Sequence, residues 1–145
     1  MEWLSQNEED TSACARILAD MLNPAAVVCL RGDLGMGKSV FARSLIRHLS
    51  GNPDLEVPSP TFTLVQTYET SETEVWHFDL YRLKQPEEIY ELGWEEALGQ
   101  SLCLIEWPER IEELLPPRRI EIQLKTMGGN QRQIIVQDMR QHNRI

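Results

Sequence analysis

No apolar run in this chain approaches the roughly eighteen residues needed to cross a bilayer, so no membrane span and no membrane partner are expected. The opening Met1-Glu2-Trp3-Leu4-Ser5-Gln6 lacks a basic stretch followed by an apolar one, and the expectation is an unexported, cytoplasmic protein. Cysteine is scarce: Cys14, Cys29 and Cys103 form no CxxC and no Cys/His spacing, which argues against a zinc site or disulfide framework and for buried, reduced thiols. Positive charge is also short, with 14 Lys and Arg against 23 Asp and Glu and a formal net charge of −9. A protein that grips nucleic acid directly needs a basic surface to displace counterions, and this composition does not advertise one. No Asn is followed by Lys, so the NKxD element that reads guanine is missing and a GTPase is disfavoured. No linker, repeat or low-complexity segment interrupts the chain, and one domain over residues 1–145 is expected.

What is present is the composition of an ordinary globular protein, 41% hydrophobic and 26% charged. Ser5-Gln6-Asn7-Glu8 fits a capping box, and Cys14, Ile17, Leu18, Met21 and Leu22 follow one helix face up to Asn23-Pro24. Ala25 to Leu30 reads as a strand buried on both faces, and Lys38 to Leu49 as a helix closed by Ser50-Gly51-Asn52-Pro53. Phe62 to Tyr68 and Val75 to Asp79 read as paired antiparallel strands, and Pro86 to Leu98 as a helical stretch interrupted near Gly93. Leu102 to Ile105 is a second buried strand and Pro108 to Leu115 a short helix. Ile120 to Leu124 and Gln133 to Gln137, turning at Gly128-Gly129-Asn130, form a hairpin. Strands alternating with helices early and pairing antiparallel later imply an α/β domain with a small mixed sheet.

The chemistry begins at Gly32-Asp33-Leu34-Gly35-Met36-Gly37-Lys38-Ser39, which matches GxxxxGK followed by Ser or Thr and lies between an expected strand and an expected helix. Glycines let the loop curl so that successive N–H groups point at phosphate oxygens, while the positive end of the next helix favours the anion. Lys38 adds a point charge for the β- and γ-phosphates, and the Ser39 hydroxyl is a hard ligand for Mg²⁺. ATP and Mg²⁺ are therefore the expected cofactors. The metal also needs a carboxylate, and two strands end in one: Asp79 after Val75-Trp76-His77-Phe78, and Glu106 after Leu102-Cys103-Leu104-Ile105. Either acid is a catalytic candidate with Lys38, or a solvent-facing strand end. Pro58-Ser59-Pro60-Thr61-Phe62-Thr63 is either a plain connection or a segment that orders around a γ-phosphate. His77 reads as a packed, hydrogen-bonded ring rather than a catalyst, and Trp76, Trp94 and Trp107 as core or interface anchors. Arg82 suits a phosphate or partner contact, or an ion pair. Glu87, Glu88, Glu91, Glu95 and Glu96 suit a solvated helix face, with docking onto a basic partner as the alternative.

In their order, GDLGMGKS, SPTFTLV, HFDLYR and LIEWPER resemble the bacterial TsaE family, the ATPase of tRNA threonylcarbamoyladenosine biosynthesis. The resemblance spans residues 30–108 through motifs and both ends through length, the first helix and the closing hairpin. It implies a three-layer fold like that of P-loop NTPases and an ATPase working with the TsaD and TsaB proteins. The reaction supported would be modification of adenosine 37 in tRNAs reading codons that start with A, with tRNA met indirectly through the complex. Carried over by residue, it implies a nucleotide on Gly35, Met36, Gly37, Lys38, Ser39 and Val40 and Mg²⁺ on Ser39 and Glu106. Thr61 would face metal and γ-phosphate, Asp79 would sit beside the phosphates or the attacking water, and Asn7 and Arg132 would be further nucleotide contacts. Met36 stands where such loops commonly have alanine, and Ser39-Val40 where the family often has two threonines; serine keeps the hydroxyl. Slow hydrolysis is the leading expectation, ahead of a small-molecule kinase, for which the chain leaves little room, and of a nucleotide-gated binding module with incidental hydrolysis.

Overall fold

Val27, Val28, Cys29 and Leu30 are all buried, so the strand they make has two faces to cover and the sheet is built outward from it. The computed structural model describes residues 1–33, 35 and 37–140. Along the chain run β1 (Glu2–Ser5), α1 (Glu8–Ala19), β2 (Val27–Arg31), α2 (Lys38–Ser50), β3 (Val65–Glu69) and β4 (Glu74–Asp79). A 3-10 segment (Pro86–Leu92), α3 (Trp94–Ala97), β5 (Leu102–Glu106), a second 3-10 segment (Pro108–Leu114), β6 (Ile120–Gly128) and β7 (Gln131–Asp138) follow. The strands lie in the order β1-β7-β6-β2-β5-β4-β3. The inner four, β6, β2, β5 and β4, are parallel, while β1, β7 and β3 pair antiparallel at the two margins. This is the mixed α/β sheet that the alternating pattern implies.

Two cores lie on opposite faces of the sheet. Val28, Leu30, Val75, Leu102, Leu104 and Ile122 pack under α1 and α2. Val27, Cys29, Phe78, Cys103 and Ile105 pack against the layer carrying Leu80, Ile89, Trp94 and Ile111. The three layers of the expected fold are present, though the second outer layer is made of 3-10 turns and one four-residue helix. All three cysteines are buried and free, and burial pushes each thiol up to about 12. Among the described residues no helix is long and apolar enough to cross a membrane.

Several local expectations are corrected. The cap of α1 is Asn7, not Ser5: Asn7 Oδ1 accepts the Asp10 N–H at 2.8 Å and the Asp10 carboxylate accepts the Gln6 N–H at 2.9 Å. Ser5 belongs to β1, a strand with no sequence signal beyond four residues, and its buried hydroxyl lies 2.7 Å from that of Thr11. The buried face of α1 is Thr11, Cys14, Ala15, Leu18 and Ala19, which leaves Ile17 and Met21 exposed. Small alanines let α1 approach α2 closely, a packing reason that bulk hydrophobicity does not reveal. The helix ends at Ala19, four residues before Asn23, and β3 begins at Val65, so Phe62 to Leu64 are not strand.

The stretch from Pro86 to Leu98 is broken at Gly93, whose φ of 93° ends one segment and opens the next. Glu87, Glu91, Glu95 and Glu96 are exposed there, as a solvated face requires. A Cβ on Gly93 would stand 2.8 Å from Trp76 Cζ3 in a backbone conformation that disfavours side chains. Gly93→Ala is therefore expected to lower stability by about 1–3 kcal/mol, read as a lower urea midpoint with an unchanged slope. An unmoved midpoint would contradict the packing described.

Candidate functional site

Parallel strands in register deliver their last residues to one edge. Leu30 of β2 stands opposite Glu106 of β5, and Glu106 opposite Asp79 of β4. On one face of the sheet, Val75, His77 and Asp79 succeed one another along β4, and Leu102, Leu104 and Glu106 along β5. The apolar rows thus turn polar at the carboxyl ends, where ligands of open α/β sheets gather.

At that edge the glycine-rich turn hands over to α2. Gly37 is the cap, with φ 95°, a conformation that glycine takes without strain. No side chain caps α2 and no acid occupies its first turn, so its leading N–H groups and positive pole remain available to an anion. Lys38 is 5% exposed; its Nζ donates to the Gly32 carbonyl at 2.6 Å and lies 3.5 Å from the centre of the Trp107 ring. Burial pulls the Lys38 amine below its ordinary pKa, opposed by Glu106, Glu109, Asp79 and Asp33.

Asp79 and Glu106 are 6% and 4% exposed. Asp79 accepts the Tyr81 N–H at 3.1 Å and the Ser59 hydroxyl at 3.4 Å. Burial, with the neighbouring Glu106, pushes its carboxyl upward, while the Tyr81 N–H, His77 and Lys38 oppose the rise. Glu106 Oε2 lies 2.7 Å from His77 Nε2. Ser59 Oγ is also 2.9 Å from Thr61 Oγ1, so the proline-rich segment is tied through Ser59 to Asp79.

These groups face a single cleft of ≈ 450 Å³ lined by Glu8, Gly35, Gly37, Lys38, Ser39, Val40, Ser59, Thr61, Asp79, Tyr81, Arg82, Glu106 and Trp107. A second compartment of ≈ 350 Å³ shares Glu8, Gly35, Gly37 and Val40 with it and adds Ser5, Asn7, Thr11, Asn130 and Arg132. Arg132 Nη2 donates to the Gly35 carbonyl at 3.2 Å, which docks the closing hairpin on the loop. The residues singled out from sequence are thus brought together: Gly35, Gly37, Lys38, Ser39, Val40, Thr61, Asp79 and Glu106 in the first compartment, Asn7 and Arg132 in the second. Met36 lies outside the described residues.

The chemistry of the donors suits a hard dication beside an anion. The Ser39 hydroxyl and two adjacent carboxylates offer only oxygen, and Lys38 is turned to Gly32 and Trp107 instead of pairing with either acid. Among the described residues no cage of three or more His, Cys, Asp or Glu side chains forms. A cation here would take few protein ligands and draw the rest from phosphate and water, the habit of Mg²⁺.

Some contacts of the site have no local signature in the sequence. His77 is the packed, hydrogen-bonded ring that the sequence suggests, and its partner is Glu106. Trp107 is only partly buried, has φ 61° and covers Lys38; no sequence feature announces a left-handed tryptophan. Ser59 lies in the quoted SPTFTLV segment, and its contact with Asp79 needed the fold. Arg82 forms no ion pair among the described residues; its guanidinium lies 4.7 Å from the ring centre of Phe62, which is 82% exposed.

Comparison with known proteins agrees with this architecture. The family model described as Threonylcarbamoyl adenosine biosynthesis protein TsaE matches residues 5–134. A tRNA threonylcarbamoyladenosine biosynthesis protein TsaE from Rickettsia felis is 52% identical over 126 residues, 87% of this chain and 73% of that one. The protein of the same description from Bacillus subtilis is 38% identical over 135 residues, 92% and 83% of the two chains. The crystal structure of Bacillus subtilis YdiB superposes with a TM-score of 0.76 at 32% identity, covering 96% of this chain and 85% of that one. With residues 5–134 matched by the family model and most of its length by these relatives, the chain belongs to the TsaE family of tRNA threonylcarbamoyladenosine biosynthesis proteins.

Proposed function

We propose that this chain is a slow, Mg²⁺-dependent cytoplasmic ATPase that supports threonylcarbamoyl modification of adenosine 37 in tRNAs reading codons that start with A, acting with TsaD and TsaB. The observation that carries the reading is the convergence, in one cleft, of an uncapped helix start, a buried lysine and two neighbouring buried acids. Phosphates would rest on the N–H groups around Gly35, Gly37, Lys38, Ser39 and Val40, with Met36 in the same loop. The Asn7 and Arg132 compartment would take the nucleoside. Ser39 and Glu106 would hold Mg²⁺, which would supply charge neutralisation at the transferring phosphoryl group. Asp79, fixed by the Tyr81 N–H, orients the attacking water, and Lys38 holds the charge that develops on the phosphates.

Slow turnover in isolation is expected from the placement of arginine among the described residues. Arg82, the arginine lining the acid-bearing compartment, stacks over Phe62. A partner that completes the site or stabilises its transition state is the natural remedy. With a net charge of −9, this chain is expected to reach tRNA through such partners.

A second reading, a nucleotide-gated binding module, is favoured by one observation. Phe62, 82% exposed, adjoins Thr61, whose hydroxyl is linked through Ser59 to Asp79. A γ-phosphate gripped by Thr61 would set the position of that aromatic, a differential contact of the kind that switches segments. Phosphate release and binding to TsaD and TsaB, measured with ATP analogue, ADP or no nucleotide, separate the two readings. Faster release with partners supports the ATPase, and unchanged release with nucleotide-dependent affinity supports the gated module. In Thr61→Ala the nucleotide dependence of partner affinity is expected to vanish, and its persistence would remove Thr61 from the device.

A further inference from the structure

His77 is 2% exposed in the middle of β4, with Val75 and Asp79 as its neighbours on the same face. Its Nε2 lies 2.7 Å from Glu106 Oε2, and its Nδ1 has no hydrogen-bond partner among the described residues. A carboxylate only accepts, so the Nε2–H donates. Among the described residues Glu106 is therefore the hydrogen-bond partner of the ring. One of the two oxygens of Glu106 is thereby engaged, and the other is left to the cleft that Glu106 lines.

We infer that His77 is a positioning residue that holds Glu106 as a one-oxygen ligand and so makes the site select Mg²⁺ over Ca²⁺. The inference rests on the Mg²⁺-nucleotide reading above. Mg²⁺ needs near-ideal octahedral geometry and is content with one or two carboxylate oxygens, whereas Ca²⁺ takes six to eight oxygens and accepts a carboxylate through both. A histidine N–H on one oxygen occupies a lone pair there, fixes the carboxylate plane and so disfavours the two-oxygen mode. Partners behind a ligand act in this way generally, and losing them lowers metal affinity. Of the other side chains that β4 and β5 bring to that face, Val75, Leu102 and Leu104 are apolar and Asp79, opposite Glu106, is an acid, so His77 is the donor these strands offer to Glu106.

The test uses the full chain and ADP as the probe, with binding followed by calorimetry while Mg²⁺ or Ca²⁺ is titrated. The variants are His77→Leu, His77→Asn and His77→Gln. A glutamine amide reaches about as far as histidine Nε2, and an asparagine amide stops short, so Gln keeps the donor and Asn loses it. Leu and Asn are expected to raise the Mg²⁺ midpoint by about 10- to 100-fold and to narrow the preference for Mg²⁺ over Ca²⁺. Gln is expected to restore both, and ADP affinity without cation should be equal in all four proteins. If the Leu variant does not fold by circular dichroism, the Gln and Asn pair decides. Unchanged midpoint and preference in Asn, or a Gln variant as impaired as Asn, overturns the inference alone. A parent that binds ADP equally with Mg²⁺, Ca²⁺ or chelator overturns the Mg²⁺-nucleotide reading and this inference with it.

Discussion

Lys38→Ala is expected to abolish the thermal stabilisation that MgATP gives the parent while leaving the unliganded protein folded. At a nucleotide concentration about 100 times Kd, binding should stabilise the parent by about 2.7 kcal/mol, a rise of roughly 5–10 °C for a chain of this size. The expectation follows from where Lys38 sits. It is buried at the mouth of the glycine-rich turn, and the leading N–H groups beside it carry only partial charge, so the phosphates lose a full positive charge at the start of α2. The fold depends on it less. Burial already pulls the Lys38 amine below its ordinary pKa, so removing it also removes a charge that the site solvates poorly. What the variant loses structurally is the hydrogen bond to the Gly32 carbonyl and the contact with Trp107. Equal MgATP stabilisation in variant and parent would end the phosphate-loop reading.

Glu106→Gln is expected to keep nucleotide binding but to weaken Mg²⁺ affinity by at least about tenfold and turnover by roughly 100-fold, which corresponds to about 2.7 kcal/mol. The geometry makes the substitution sharper than a loss of charge. His77 Nε2 lies 2.7 Å from one carboxylate oxygen, so the new amide will turn its oxygen to that donor. Its NH₂ group then faces the cleft, where a cation needs an acceptor. The fold should tolerate the change, because one of two adjacent buried acids becomes neutral. Asp79, raised by burial and by Glu106, would move back toward the usual carboxylate range. An unchanged Mg²⁺ titration with normal turnover would transfer the metal role to Asp79.

Much of this could be read from the chain because the chemistry lies where local rules are strongest. A buried strand, a glycine-rich turn and a helix start are consecutive in sequence, so Lys38 and Ser39 were legible at once. Asp79 and Glu106 were legible as acids ending apolar runs, and their adjacency follows once β4 and β5 pair in parallel. Asn7 and Arg132 came only from family resemblance. Their meeting beside Gly35 requires β1 to pair with β7, and β1 is too short to show a period. The face of α1 was misread because Cys14 and Leu18 belong equally to two stripes, and close packing against α2 favoured the alanines over Ile17 and Met21. The cover of Trp107 on Lys38 and the bond from His77 to Glu106 are tertiary facts without a local signature.

Everything proposed for this chain requires that the cleft at the carboxyl ends of β2, β4 and β5 binds MgATP. Calorimetric titration of the parent with ATP, in Mg²⁺ and in chelator, tests it most directly. Saturable binding at one site per chain is expected, weaker when the cation is withdrawn and absent in Lys38→Ala. Absence of saturable heat in the folded parent, or binding of equal strength in Lys38→Ala, would contradict it.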